Sequence, residues 1–117
     1  KLKYSFSYLN KLISKEKEKI KVFNFFYKEA YVASAICHIT QKDILYVANW
    51  GDYGHSNKYS VMYNFCLELV KFCIKKNFKI LDFGLSTSLN DDNLNLFRFK
   101  NKLGCNPFSQ KIFRIKL

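Results

Sequence analysis

Three groups of residues carry side chains whose types and spacing suit chemistry. The first is Asp82-Phe83-Gly84, a carboxylate that closes an apolar run and is followed by a glycine. A buried carboxylate without partners is costly. Asp82 therefore either accepts hydrogen bonds that shape the following turn, with Gly84 as its flexible element, or acts in function directly. The second group is Arg98-Phe99-Lys100, two cations flanking a ring. Lys100 can neutralise a phosphate or a developing anion, although a helix dipole alone also favours a lysine in the last turn. The third is Trp50 to Asn57, WGDYGHSN, which sets Tyr53, Gly54, His55 and Ser56 ahead of a periodic segment. Gly51 and Gly54 suit either a simple turn or a cradle of backbone N–H groups for a phosphate. His55 is the loop's candidate acid or base, or a surface side chain. His38, in mid-strand, reads as a packed or edge histidine.

Several function classes are excluded by what the motifs lack. Asp82-Phe83-Gly84 matches the kinase metal-binding tripeptide, but no Gly-rich loop, strand lysine or His-Arg-Asp loop precedes it. The Trp50 loop is not a Walker loop, because Ser56 stands where a second glycine is required. The four cysteines, Cys37, Cys66, Cys73 and Cys105, form no C-x-x-C pair, and with two histidines they lack zinc-ligand spacing, so no metal is expected. Cys66 and Cys73 fall two helical turns apart, too far to bond. Reduced core thiols, and with them a cytoplasmic setting, are expected. The net charge of +11 is compatible with a phosphate-bearing partner. Only Arg98 and Arg114 of the 20 basic residues are arginine, and the lysines are scattered, as on a solvated surface.

The elements that must position these groups follow from periodicity. A chain of 117 residues with 49% hydrophobic content supports one packed domain, 1–117. Its apolar runs are broken by Asn64, Glu68 and Lys71, so no transmembrane span is expected. The chain opens on Lys1 rather than Met, which points to a C-terminal portion of a longer chain, with 1–19 as a connector or partial first elements. Tyr4, Phe6 and Tyr8 alternate as in a short strand or connector. KEKEK at Lys15 to Lys19 reads as a solvated turn or helix end. Ile20–Tyr27, Tyr31–Thr40 and Ile44–Asn49 alternate and are joined by short polar turns, which predicts an antiparallel meander. Val61, Met62, Phe65, Leu69, Phe72 and Cys73 form a helical stripe over Lys58 to Lys76, with Ser56 or Asn57 to cap its start and Asn77 its end. Lys79–Phe83 is then a strand parallel to the one before the helix. Leu85–Asn90 reads as loop. Asp91 and Asp92 suit the start of a short helix ending at Gly104, with Leu96, Phe99, Lys100 and Leu103 on one face. Phe108–Leu117 alternates well enough for a closing strand. The order is β-β-β-α-β-α-β.

With that order, Leu81-Asp82-Phe83-Gly84, Leu96-Phe97-Arg98-Phe99-Lys100 and Leu103-Gly104 resemble the C-terminal GNAT-like module of the Fem-type aminoacyltransferases, the peptidoglycan bridge formers, and related acyltransferases. The resemblance covers roughly Ile20 to Leu117. It implies an α/β (α+β) GNAT-like mixed sheet: an antiparallel meander, a crossover helix, a parallel strand, a short helix and a closing strand. It further implies transfer of an acyl or aminoacyl group, from acyl-CoA as co-substrate or from charged tRNA, to an amine or hydroxyl on an amino sugar or cell-wall precursor. In the Fem branch the lysine of the Phe-Lys pair assists transfer, which corresponds here to Phe99 and Lys100. Arg98, Phe99, Tyr53, Gly54, His55 and Ser56 would then bind substrate or donor, and Asp82 and Gly84 would orient the site. The acyl-CoA branch carries an Arg/Gln-x-x-Gly-x-Gly/Ala loop before the crossover helix, whereas Asn49 to Gly54 sets its glycines in another register. A non-catalytic GNAT-like binding module is the competing reading.

Overall fold

The computed structural model describes residues 5–53, 58–88, 91–109 and 113–116. They fall into two compact units, Lys1–Gly84 and Leu85–Leu117.

The first unit opens with a helix, α1 (Phe6–Lys15), where alternating aromatics suggested a strand or connector. The helical period of Leu9, Leu12 and Ile13 prevails over the alternation of Phe6 and Tyr8. Leu9 is buried, the next two are half-buried, and Phe6 is left exposed. Ser5 caps the helix, its hydroxyl accepting from the Tyr8 amide at 3.2 Å. The charged run ends the helix as expected, with the Lys19 and Ile20 amides both donating to the Glu16 carbonyl.

Three strands follow: β1 (Ile20–Tyr27), β2 (Ala30–Gln41) and β3 (Ile44–Asp52). Adjacent strands are antiparallel. The β1–β2 turn places Lys28 and Glu29 at φ +48° and +65°. Two successive left-handed residues match the twist of a two-residue hairpin. On one sheet face Phe23 and Phe25 stand opposite Ala35 and Ala33. The small side chains of β2 let α2 (Lys58–Lys75) approach closely, and the phenylalanines meet it ring to ring. Phe23 lies 4.8 Å from Phe72 and Phe25 lies 5.7 Å from Phe65, centroid to centroid. Ala33, Ala35, Cys37, Leu45, Val47, Phe65, Cys66, Leu69 and Cys73 complete the core. The expected stripe of α2 is thus the buried face, with Cys66 added.

Asn77 ends α2 as expected. It adopts φ +61°, its amide donates to the Ile74 carbonyl and the Phe78 amide to the Cys73 carbonyl. This is a Schellman termination. The chain then enters β4 (Ile80–Asp82), shorter than the expected Lys79–Phe83, which runs parallel to β3 in a sheet ordered β1-β2-β3-β4.

The second unit holds two short strands, β5 (Thr87–Ser88) and β6 (Asp91–Asp92), paired antiparallel, and a helix, α3 (Leu94–Lys102). The expected loop over Leu85–Asn90 therefore contains a strand. Asp91 and Asp92 lie in β6 ahead of the helix, and Asn93 is the cap, its side chain accepting from the Leu96 amide at 3.1 Å. Leu103 and Gly104 end α3 with a second Schellman arrangement. Gly104, at φ +86°, donates to Asn101 and Cys105 donates to Lys100. The expected closing strand is absent among the described residues: Phe108, Phe113 and Ile115 are exposed, and alternation without a partner strand does not make a ladder.

Candidate functional site

In the first unit β3 and β4 pair only at Ile44↔Ile80, Leu45↔Leu81 and Tyr46↔Asp82. Beyond that point β3 continues from Val47 to Asp52 while β4 has ended. The cause is local. The β2–β3 pairing passes from Cys37↔Val47 directly to Ile36↔Asn49, which leaves Ala48 as an extra residue on β3. A bulge bends its strand and raises the local twist, here just past the last pair with β4. The ladder between the two parallel strands therefore opens past Tyr46 and Asp82, where β3 runs on alone among the described residues. At this opening of the ladder the rings of Trp50 and Phe83 lie 5.4 Å apart.

The Asp-Phe-Gly stretch builds the turn that leaves β4. Asp82 Oδ1 accepts from the Gly84 amide at 2.8 Å, a local turn that keeps this exposed carboxylate hydrogen-bonded. Phe83 is buried. Gly84 sits at φ +69°, and a Cβ there would lie 3.1 Å from Tyr46 Cε2 and 3.6 Å from the Val47 carbonyl. Glycine is thus required twice, for the left-handed backbone and for the close approach to β3. Tyr46, which faces it, was not singled out from the sequence; a glycine ending a strand is the only hint of such a neighbour.

The expected Trp50 loop begins later than predicted. Trp50, Gly51 and Asp52 belong to β3, with Gly51 opposite Ser34 and open space where its Cβ would be. Gly51 is therefore a strand residue and not part of a phosphate-binding turn. Tyr53 is exposed, and its amide donates to the Val32 carbonyl at 3.1 Å. Gly54, His55 and Ser56, and the Ser56 or Asn57 cap of α2, lie outside the described residues.

In the second unit α3 separates the expected trio. Arg98 is exposed, Phe99 is half-buried and Lys100 is 7% exposed. Arg98 and Lys100, two positions apart, point to different sides of the helix. The Lys100 ammonium donates to the Leu85 carbonyl at 2.9 Å and so ties α3 to the first residue of its own unit. Burial pushes the Cys105 thiol up, and the nearby Lys100 charge opposes that shift.

The thiols do not form a reactive centre. All four cysteines are free. Burial, and then the neighbouring Cys73, push Cys37 up to about 12, and burial also raises Cys73. Thiols held protonated in this way are poor nucleophiles. His38 lies 6.4 Å from Tyr46, ring to ring, within the sheet. No group of three or more metal-ligating side chains occurs among the described residues.

Solved structures share the fold. A probable acetyltransferase superposes with a TM-score of 0.71 at 11% identity, covering 100% of this chain and 81% of that one. The fold is GNAT-like. The aminoglycoside N-acetyltransferase AAC(6')-Iy, in complex with CoA, matches with a TM-score of 0.63 at 13% identity over 96% of this chain and 90% of that one. No family model and no curated protein matches the sequence. The GNAT-like sheet expected from the sequence, an antiparallel meander with a parallel strand after the crossover helix, is the sheet observed.

Proposed function

We propose that the chain is an acyl-CoA-dependent acyltransferase domain whose donor lies along β3 in the opening beyond Tyr46 and Asp82. The observation that carries this reading is that β3 runs on past its last pair with β4, with the Ala48 bulge just beyond that pair. An acyl-CoA presents its thioester at the end of an extended arm containing two amides. A strand that outruns its neighbour is suited to align such an arm by backbone hydrogen bonds, as in strand addition. The CoA complex of a protein with this fold supports the same choice of donor.

Transfer in such a site rests on positioning an amine or hydroxyl acceptor against the thioester carbonyl and stabilising the oxyanion, with no covalent enzyme intermediate required. A small-molecule acceptor, such as an amino sugar or a cell-envelope precursor, fits this scheme. Tyr53, the residue after β3, is assigned to meet it, and His55 and Ser56 follow in sequence. Lys100 is assigned a positioning role, because its ammonium is buried and engaged by a backbone carbonyl. That assignment favours acyl-CoA over charged tRNA, since the Fem-type donor calls for this lysine at the transfer centre.

Titration calorimetry with acetyl-CoA, CoA and aminoacyl-tRNA tests the choice. Saturable one-to-one binding of acetyl-CoA supports the reading. Binding of charged tRNA alone moves it to the Fem type, and binding of neither donor leaves the non-catalytic module.

A further inference from the structure

The end of the sheet opposite the strand opening has its own chemistry. Hydrogen bonds assemble four segments of the first unit there. The Ile39 amide donates to the Lys19 carbonyl, joining the start of β1 to the end of β2. The Lys79 and Ile80 amides both donate to the Asp43 carbonyl, joining the start of β4 to the β2–β3 turn. The Schellman turn after α2 feeds directly into β4. Three stretches here bring exposed lysines: Lys15, Lys17 and Lys19 before β1, Lys42 in the β2–β3 turn, and Lys75, Lys76 and Lys79 from the end of α2 to the start of β4. The opposing acids are Glu16, Glu18 and Asp43, and the one ion pair among these groups, Lys79 to Asp43 at 3.8 Å, is exposed and weak. Lysines scattered in sequence are thus gathered at one pole by topology.

We propose that this pole docks on an anionic phospholipid surface, leaving the open end of β3 facing away from it. The composition of the pole decides between anionic partners. It contains no arginine, so it offers no planar fork for bidentate phosphate recognition. Its exposed apolar side chains are aliphatic: Ile74 is 71% and Ile80 52% exposed. Aliphatic groups framed by lysines suit the boundary between headgroups and acyl chains. Nucleic acid would instead be held by stacking on aromatic rings, and the rings at this pole, Phe72 and Phe78, are half-buried against each other at 6.2 Å. Each lysine near an anionic surface adds roughly fivefold to partitioning, so a handful suffices for reversible attachment without a spanning helix. None of the helices is long and apolar enough to cross a membrane among the described residues.

The test is sedimentation of the full chain with vesicles of phosphatidylcholine alone or mixed with phosphatidylglycerol. The expected result is partitioning onto the mixed vesicles that falls as salt rises. The double variant K17E/K42E, both positions in exposed turns, should lower it by more than about tenfold. The charge-matched control K28E/K58E, in the β1–β2 turn and at the start of α2, should lower it by less than about threefold. Ile80→Ser should weaken binding even at low salt. Equal losses in both double variants would mean that total charge, not the pole, does the work, and would overturn the proposal. So would tighter binding of polyuridylate than of vesicles with the same K17E/K42E dependence, or no partitioning onto the mixed vesicles.

Discussion

Residues 5–84 and residues 85–117 are held together by different means. The first unit rests on apolar burial: among the described residues, thirteen apolar side chains are buried, most of them from the meander and the crossover helix, among them Leu45, Cys37, Cys66 and Leu69. In the second unit the one buried side chain among the described residues is Lys100, and among its contributions is a hydrogen bond to a backbone carbonyl. Burial is non-directional and scales with area, so the first unit tolerates local irregularity, including shifts of strand register in both β1–β2 and β2–β3. A charged tie is directional and leaves a costly vacancy if broken. A scaffold is therefore expected from the first unit and a position-sensitive accessory from the second.

Substitutions can break this contrast, beginning with the largest effect. Leu69→Ala empties a site that is 1% exposed and should cost about 2–5 kcal/mol in urea unfolding. An effect below 1 kcal/mol would show that α2 is not the centre of the core. Gly84→Ala forces a left-handed backbone and a contact with Tyr46, worth about 1–3 kcal/mol. Combining it with Tyr46→Ala should return part of that loss and so separate crowding from backbone strain. Lys100→Met keeps the length of the side chain but leaves the Leu85 carbonyl unpaired by it. It should cost about 1–3 kcal/mol locally, seen as faster amide exchange in residues 85–104 with residues 20–82 unchanged. A fall in transfer rate with unchanged exchange would instead make Lys100 a group that touches the reactants.

A smaller effect concerns pH. The folded state raises the Cys37 thiol to about 12 from 9.0, so it holds its proton longer than the unfolded chain does. Stability should therefore be insensitive to this group below pH 9.0 and decline as pH rises toward about 12, and Cys37→Ala should flatten that alkaline limb in thermal unfolding. Native-state alkylation near neutral pH should spare Cys37, Cys66 and Cys73, which are buried, and reach Cys105 first.

The contrast also governs what could be read from the residues. The meander, α2 and their order were legible because their core faces impose a period on Phe23, Phe25, Ala33, Ala35 and Leu69 that survives without knowledge of partners. Both helix ends were legible too, because Asn77 and Gly104 occupy left-handed positions few other residues take. What failed was decided by partners rather than by local pattern. The alternation of Phe108 to Leu117 found no strand to pair with, and the Phe6–Tyr8 alternation yielded to the period of Leu9, Leu12 and Ile13. The Ala48 bulge has no signature at all, since one extra residue in a strand is defined only against β2. Lys100 was legible as a special position but not as a buried one: its spacing on α3 placed it with Leu96 and Phe99, and the bond to the Leu85 carbonyl, which helps a charge to lie there, belongs to the fold and not to the local pattern.

The measurement that bears most directly on the central claim is amide hydrogen exchange of the chain with and without saturating acetyl-CoA. If the donor lies along the strand beyond the bulge, exchange slows in residues 47–52 on addition of acetyl-CoA, while β1 is unaffected. Unchanged exchange across 47–52, or protection confined to other strands, would contradict the assignment of this opening as the donor site.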